Sequence, residues 1–115
     1  MSEVDTSAGL WPYAHNDTSP AGDGNGFWND MDMLEIGVER TLTPQNQSDV
    51  AALNAARAHF SMWCLMKSPI LLGNDLSKMS AATLGVLSNK EALAVSQDAF
   101  GKQASTSTSG GSKFY

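Results

Sequence analysis

The hydrophobic and polar positions divide the chain into a polar lead-in, a central region with apolar segments and a polar tail. Residues 1–26 are rich in Gly, Ser, Asp, Pro and Asn, and this composition predicts a loop. Residues 27–37 form a largely apolar run that predicts a strand and its outgoing loop. Residues 104–115 have no periodicity and are dominated by Ser, Thr and Gly, so we expect a disordered tail.

An amphipathic helix is predicted to end at about Lys67. The pattern recurs at spacings of three and four residues, through Val50, Leu53, Arg57, Phe60 and Cys64. Two start signals precede the stripe. One is Thr43-Pro44, a capping hydroxyl followed by a proline suited to the first helical position, and the other is Ser48-Asp49.

A second strand and two short helices are predicted after this helix. Pro69 disfavours helical geometry at the preceding residue, so the helix should stop there. Residues 70–72 are continuously apolar, which is typical of a parallel strand covered on both faces. Short helices are predicted from Ser80 to Ser88 and from Asn89 to Ser96. The order strand, helix, strand, helix predicts a right-handed parallel crossover in an α/β fold.

Asp30 and Asp32 are candidate functional groups because they lie two residues apart in the first predicted strand. Alternation along a strand sends both carboxylates to one face, where Trp28 would add an aromatic wall to a pocket suited to a sugar. The residues alone leave another interpretation open, a surface turn with solvated aspartates. A metal-dependent sugar-transfer site on Asp30-x-Asp32 is a third interpretation, although no further ligands cluster nearby in the sequence.

Three segments carry a family resemblance. Residues 28–34, W-N-D-M-D-M-L, resemble the W-N-D-P-D-M-L motif of the melibiases, the family-27 glycoside hydrolases that comprise α-galactosidases and α-N-acetylgalactosaminidases. Residues 59–76 are similar to that family's helix, strand and N-D-L loop, and residues 87–98 with 101–103 are similar to the segment that closes its barrel. The three segments occur in the family's order and cover roughly residues 22–103.

The resemblance implies a fragment of a (β/α)8 TIM barrel, comprising its last two β/α units. The expected organisation is a loop-rich lead-in over residues 1–26, a partial barrel domain over 27–103 and a disordered tail over 104–115. Such barrels carry their active sites at the carboxyl ends of the strands. That rule places Asp32, Met33 and the Gly73-Asn74-Asp75 loop around a sugar pocket.

The resemblance also implies roles for individual residues. Asp32 and Met33 match a pair that lines the galactose pocket, and a carboxylate suits sugar hydroxyls because charge-assisted hydrogen bonds are strong. Asp30 and Trp28 complete the candidate substrate-binding set. Asp30, with Asn29, is expected to support the loop, while Trp28 either packs behind it or meets the apolar face of the sugar. Asn74 and Asp75 are expected to act as caps or in turns.

The catalytic carboxylates of the family are not assigned to any residue of this chain. In the family they lie in a K-Y-D strand motif and an R-x-x-x-D motif, and the sequence contains neither. Met31 also stands where the family motif has proline, which removes a rigid backbone constraint. The implied function is therefore that of an α-galactosidase-like glycoside hydrolase present as a partial barrel, inactive alone. The alternative is a non-catalytic carbohydrate-binding or degenerate interaction fragment.

Three further side chains have structural interpretations. His15 is expected to be an exposed loop histidine, and His59 a structural histidine beside the helix's apolar stripe. Cys64, which has no second cysteine to pair with, is expected to be a small buried side chain.

Composition and charge limit the partners. A net charge of −5, with only seven Lys and Arg, argues against nucleic-acid binding. No apolar run approaches the roughly 20 residues of a membrane span, and the first residues do not predict a signal peptide, although the family is largely secreted or lysosomal. Neither a cofactor nor a metal is expected. The expected partners are an α-galactoside and, because a partial barrel leaves strand edges open, the missing barrel segment or a second copy.

Overall fold

The computed structural model describes residues 3–14, 26–38, 41–110 and 112–114, and within them the regular structure is mainly helical. The helices are α1 (Glu3–Gly9), α2 (Val50–Leu65), α3 (Ala81–Leu87) and α4 (Lys90–Ser96), and the strands are β1 (Ser107–Ser109) and β2 (Ser112–Phe114). Two 3-10 turns, Trp11–Tyr13 and Leu76–Lys78, complete the regular structure of these residues. None of the described helices is long and apolar enough to span a bilayer.

Helix α2 begins at the second of the two predicted start signals. Asp49 is its N-cap, and its carboxylate accepts a hydrogen bond of 2.8 Å from the backbone N–H of Ala51. The start predicted at Thr43-Pro44 is wrong. The side chain of Asn46 accepts from the backbone N–H of Thr43 at 2.6 Å, which closes a turn before the helix.

The end of α2 has a defined geometry. The backbone N–H of Ser68 donates to the carbonyl of Trp63, and that of Lys67 donates to the carbonyl of Cys64, both at 3.2 Å. This pair of bonds is the Schellman arrangement, which requires a left-handed residue after the helix. Lys67 takes that position with φ of +57°, and Pro69 follows, as the sequence predicted.

In the described part of the chain, the two predicted strands do not form regular strands, but a parallel β-bridge joins them between Leu34 and Leu72. The N–H of Leu34 donates to the carbonyl of Leu71 at 2.8 Å, and the N–H of Gly73 donates to the carbonyl of Leu34 at 3.0 Å. The predicted parallel direction is therefore confirmed, but the predicted burial is wrong. Leu71 and Leu72 are 49 % and 39 % exposed, because the described residues place no neighbouring strand over them.

The predicted short helices α3 and α4 are confirmed, and each has a side-chain cap. The hydroxyl of Ser80 accepts from the backbone N–H of Thr83 at 3.0 Å. The amide oxygen of Asn89 accepts from the backbone N–H groups of Glu91 and Ala92 at 3.0 and 3.1 Å. These bonds satisfy helix-end donors that have no partner within the helix.

The hydrophobic core lies between α2 and the segments that precede and follow it. Its buried residues are Ala8, Met31, Leu34, Ile36, Leu42, Ala56, Phe60, Trp63, Cys64, Met66 and Val86. Cys64 is buried as expected, and burial raises the pKa of its thiol, which favours the neutral form of a packing side chain.

The predictions for the two ends of the chain need correction. Within the predicted loop 1–26, α1 forms over Glu3–Gly9 and buries Ala8 in the core. His15 lies outside the described residues. The predicted disordered tail contains the antiparallel pair β1 and β2, in which Thr108 lies opposite Lys113. Gly110 has φ of +56° between the two strands, a conformation that favours glycine.

Candidate functional site

Residues 30–34 form a tightly hydrogen-bonded segment rather than a regular strand. Asp32 has a left-handed backbone with φ of +71°, which is uncommon for any residue except glycine. The Asp30 carboxylate accepts from the backbone N–H of Asp32 at 2.8 Å, and the Asp32 carboxylate accepts from that of Met33 at 2.7 Å. The predicted strand alternation of Asp30 and Asp32 is therefore wrong, since a left-handed residue interrupts it.

Both carboxylates are nevertheless exposed beside cavities of sugar size. Asp32 and Met33 line a cavity of about 320 Å³, and Asp30 and Asp32 line a second one of about 310 Å³. The side chains and backbone around the first cavity are Glu3, Met31, Asp32, Met33, Leu34, Glu35, Val38, His59, Trp63 and Gly73. The structure thus brings Asp32 and Met33 together with Gly73 from the second predicted loop.

Trp63 connects helix α2 to this segment. Its indole Nε1–H donates to the backbone carbonyl of Asp32 at 3.1 Å. The ring of His59 stacks on that of Trp63 with centroids 4.2 Å apart. Burial lowers the pKa of His59, although the charges of Glu35 and Glu3 oppose that shift. The sequence did not predict a role for Trp63 in the site. The feature that could have indicated one is its indole N–H, which needs a hydrogen-bond acceptor when it is buried.

Ser68 makes a second connection from the end of α2. Its side-chain oxygen accepts from the backbone N–H of Met31 at 2.9 Å, and both residues are buried. A proline at position 31 has no N–H to donate. The departure from the family motif at Met31 therefore supplies a hydrogen bond that the motif's proline cannot make.

Asn29 supports the segment from the other side. Its amide group donates to the backbone carbonyl of Leu10 at 2.9 Å and to the side chain of Gln103 at 2.8 Å. Trp28 is 42 % exposed, and its ring covers Gly26 so closely that a side chain at residue 26 would overlap it. Asn29 thus has the predicted supporting role, and Trp28 packs against the backbone of its own segment.

The second loop is held by Asp75, which caps the 3-10 turn Leu76–Lys78. Its carboxylate accepts from the backbone N–H and the hydroxyl of Ser77 at 2.9 and 2.6 Å. The bonds from Ser77, and then the one from Lys78, hold the pKa of Asp75 below its ordinary value. The capping role predicted for Asp75 is confirmed. Within the described parts of the chain, no three His, Cys, Asp or Glu side chains lie together as a metal site would require.

Comparisons with known proteins identify the family that this sequence resembles. A sequence model of the melibiase family described as alpha galactosidase A matches residues 6–98. The match begins before residue 22, where the resemblance was expected to start, so that expectation is wrong. The alpha-galactosidase A of Cellvibrio japonicus is 43 % identical over 101 residues, which cover 88 % of this chain and 20 % of that protein.

Solved structures give the same result. The alpha-galactosidase I of Mortierella vinacea superposes with a TM-score of 0.64 and 28 % identity, over 90 % of this chain and 22 % of that one. The α-galactosidase of Saccharomyces cerevisiae, solved with raffinose, superposes with a TM-score of 0.58 and 32 % identity, over 69 % of this chain and 15 % of that one. The chain thus spans about a fifth or less of the length of the curated relatives it matches. Because the family match extends over residues 6–98, most of the chain, this protein belongs to the alpha galactosidase A family of glycoside hydrolases.

Proposed function

We propose that this chain contributes the last two β/α units of an α-galactosidase-type (β/α)8 barrel. The parallel bridge between Leu34 and Leu72, with α2 as the connection between them, supports this interpretation. Two parallel strands joined through a helix are the repeating unit of such a barrel. In this proposal, the rest of the barrel covers the exposed apolar side chains of Leu71 and Leu72.

The proposed ligand is the terminal galactosyl group of an α-galactoside. The observation that carries the proposal is the meeting of Asp32 and Met33 in the cavity of about 320 Å³. The exposed Asp32 carboxylate is able to accept hydrogen bonds from sugar hydroxyls, and Met33 offers an apolar surface beside it. Asp30 keeps the Asp32 backbone in place, and Trp28 lies at the edge of the segment. The raffinose in the Saccharomyces structure supports this substrate class.

The proposed reaction is hydrolysis of the α-galactosidic bond by the completed barrel. A retaining glycosidase needs two carboxylates about 5 to 5.5 Å apart, one as nucleophile and one as acid and base. We assign neither role to a residue of this chain, and we assign both to barrel segments outside it. The isolated chain is therefore expected to bind the sugar weakly and not to cleave it.

Sugar binding tests the proposed subsite. Methyl α-galactopyranoside is titrated into the chain and the amide signals of residues 30–34 are followed by NMR. Binding that Asp32→Asn weakens about tenfold, the effect of losing one charge-assisted hydrogen bond, supports the subsite. Glu91→Gln on α4 is the matched control for the loss of a negative charge. Saturable shifts that are identical in wild type and Asp32→Asn, or no shifts at all, would reject it.

An assay of hydrolysis tests whether the catalytic carboxylates lie outside this chain. The purified chain is incubated with p-nitrophenyl α-galactoside, and release of nitrophenol is measured. No release above buffer is expected. Turnover that disappears in the Asp32→Asn variant would contradict the assignment of the catalytic carboxylates to other parts of the barrel.

A further inference from the structure

The backbone of Asp32 requires support from outside its own segment. Its φ of +71° lies in the left-handed region, where a side chain crowds the backbone and glycine is favoured. Residues persist there when surrounding contacts hold them. Asp30 and Asp32 themselves provide local bonds to the neighbouring amides, but these bonds are exposed to water.

Two less exposed contacts reach the segment, one from the last turn of α2 and one from the residues that follow it. The Trp63 Nε1–H bonds to the carbonyl of Asp32, 31 positions away in sequence, and the Ser68 hydroxyl bonds to the N–H of Met31, 37 positions away. The Trp63 bond holds the peptide group that follows the Cα of Asp32, and the Ser68 bond holds the peptide group that precedes the Cα of Met31. The first bond acts directly on ψ of Asp32, and the second fixes the chain one residue earlier, so the two contacts anchor the backbone on both sides of Asp32.

We propose that Trp63 and Ser68 are positioning residues that hold the Asp32 carboxylate and the Met33 side chain in the sugar cavity. The role of that cavity rests on the proposed function. The Trp63 ring is fixed by its stack against His59 and by burial, so that its N–H has a defined direction. The residue acts through its N–H group, and removing that group while keeping the ring is expected to release the Asp32 backbone.

The test replaces Trp63 with 3-benzothienylalanine, an isostere that keeps the fused ring but has no N–H. The same replacement at Trp11, which is exposed in the turn Trp11–Tyr13, is the matched control. Ser68→Ala removes the second bond. Two quantities are measured in each variant: the φ-dependent three-bond NMR couplings of Asp32, and the dissociation constant for methyl α-galactopyranoside. Circular dichroism confirms that each variant retains its helices.

The expected result is a change in the Asp32 couplings in both the Trp63 and the Ser68 variants, with none in the Trp11 variant. Sugar binding should weaken about fivefold in each, the usual effect of one lost hydrogen bond. Unchanged Asp32 couplings after loss of the indole N–H would overturn the proposal. Changed couplings in a chain whose wild type binds no sugar would support the positioning role and reject the proposed function, so the two failures are distinguishable.

If the Trp63 isostere prevents folding, the proposal is tested instead by comparing Ser68→Ala with Ser68→Thr. Thr retains a hydroxyl, so it should restore wild-type couplings at Asp32 that Ala loses. Equal couplings in wild type and Ser68→Ala would overturn the contribution of Ser68.

Discussion

The buried ammonium group of Lys67 forms an ion pair with the carboxylate of Asp98 and also donates to the backbone carbonyl of Val95. Lys67 follows the end of α2, whereas Val95 and Asp98 lie in and just after α4. The side chain of Lys67 is 3 % exposed and that of Asp98 is 45 % exposed. The pair therefore joins two helix ends at the boundary between the core and the solvent.

We expect Asp98→Asn to lower the urea midpoint of unfolding at pH 7. The substitution leaves the buried Lys67 charge without its anionic partner, and an uncompensated buried charge is destabilising. A chain in which Lys67 is also changed to Met should be more stable than Asp98→Asn alone, because the buried charge has then been removed. Equal midpoints for wild type and Asp98→Asn would show that the ion pair contributes nothing.

The same ion pair predicts a pH dependence. The hydrogen bond from Lys67, aided by its charge, lowers the pKa of Asp98 from its ordinary 3.8. The folded state therefore binds that proton more weakly than the unfolded state, so the stabilisation is present above about pH 4 and is lost as the pH falls through the folded pKa. Urea midpoints of wild type and Asp98→Asn should differ at pH 5 to 7 and converge in stronger acid. Asp75, whose pKa is also lowered, titrates in both chains and cancels in the comparison.

A double-mutant cycle between Met31 and Ser68 measures the free energy of the hydrogen bond between them. A proline at position 31, as in the family motif, could not make this bond. Ser68→Ala leaves the buried Met31 N–H unpaired and should cost about 1–3 kcal/mol in urea unfolding. In the Met31→Pro chain that N–H is absent, so Ser68→Ala should cost much less. A coupling energy of about 1 kcal/mol is expected. Additive effects of the two substitutions would contradict the contact.

Helices α2, α3 and α4 were predictable because their signals are local. Asp49, Ser80 and Asn89 are cap residues whose partners lie two or three positions away, and the apolar periodicity of α2 indicates its buried face directly. Such signals are contained within one window of sequence. The left-handed conformation at the end of α2 was harder to predict from the sequence, because Lys67 occupies a position where glycine is usual.

The burial of the strands and the contacts that hold the Asp32 segment could not be predicted from local signals. The burial of Leu71 and Leu72 depends on neighbouring strands that the described chain does not supply. The motif predicted a sugar-pocket role for Asp32 and Met33, which line a cavity in the structure, but the contact from Trp63 joins positions 31 apart in sequence. No periodicity or spacing encodes a contact of that kind.

The cap of α4 provides a further stability prediction. Asn89→Ala removes the acceptor for the N–H groups of Glu91 and Ala92 and should destabilise the chain by about 1 kcal/mol. Asn89→Ser keeps a capping oxygen and should remain close to wild type. Urea unfolding followed by circular dichroism measures both. If Asn89→Ser destabilised the chain as much as Asn89→Ala, the loss of the cap would not be the source of the effect.

The bridged segments predict self-association of the isolated chain. Leu71 and Leu72 are exposed beside the parallel bridge, where further strands are able to pair. Sedimentation equilibrium should therefore show a mean mass that rises above the monomer with concentration. Leu71→Lys should reduce this rise, because it charges the open edge while leaving the backbone bond to Leu34 in place.

Leu84→Lys on α3 is the matched control, since Leu84 is also an exposed leucine. It should leave the association of the chain unchanged. The expectation fails if wild type remains monomeric at all concentrations and unfolds cooperatively in urea. It also fails if both lysine variants reduce association equally, because the effect would then come from net charge rather than from the open edge.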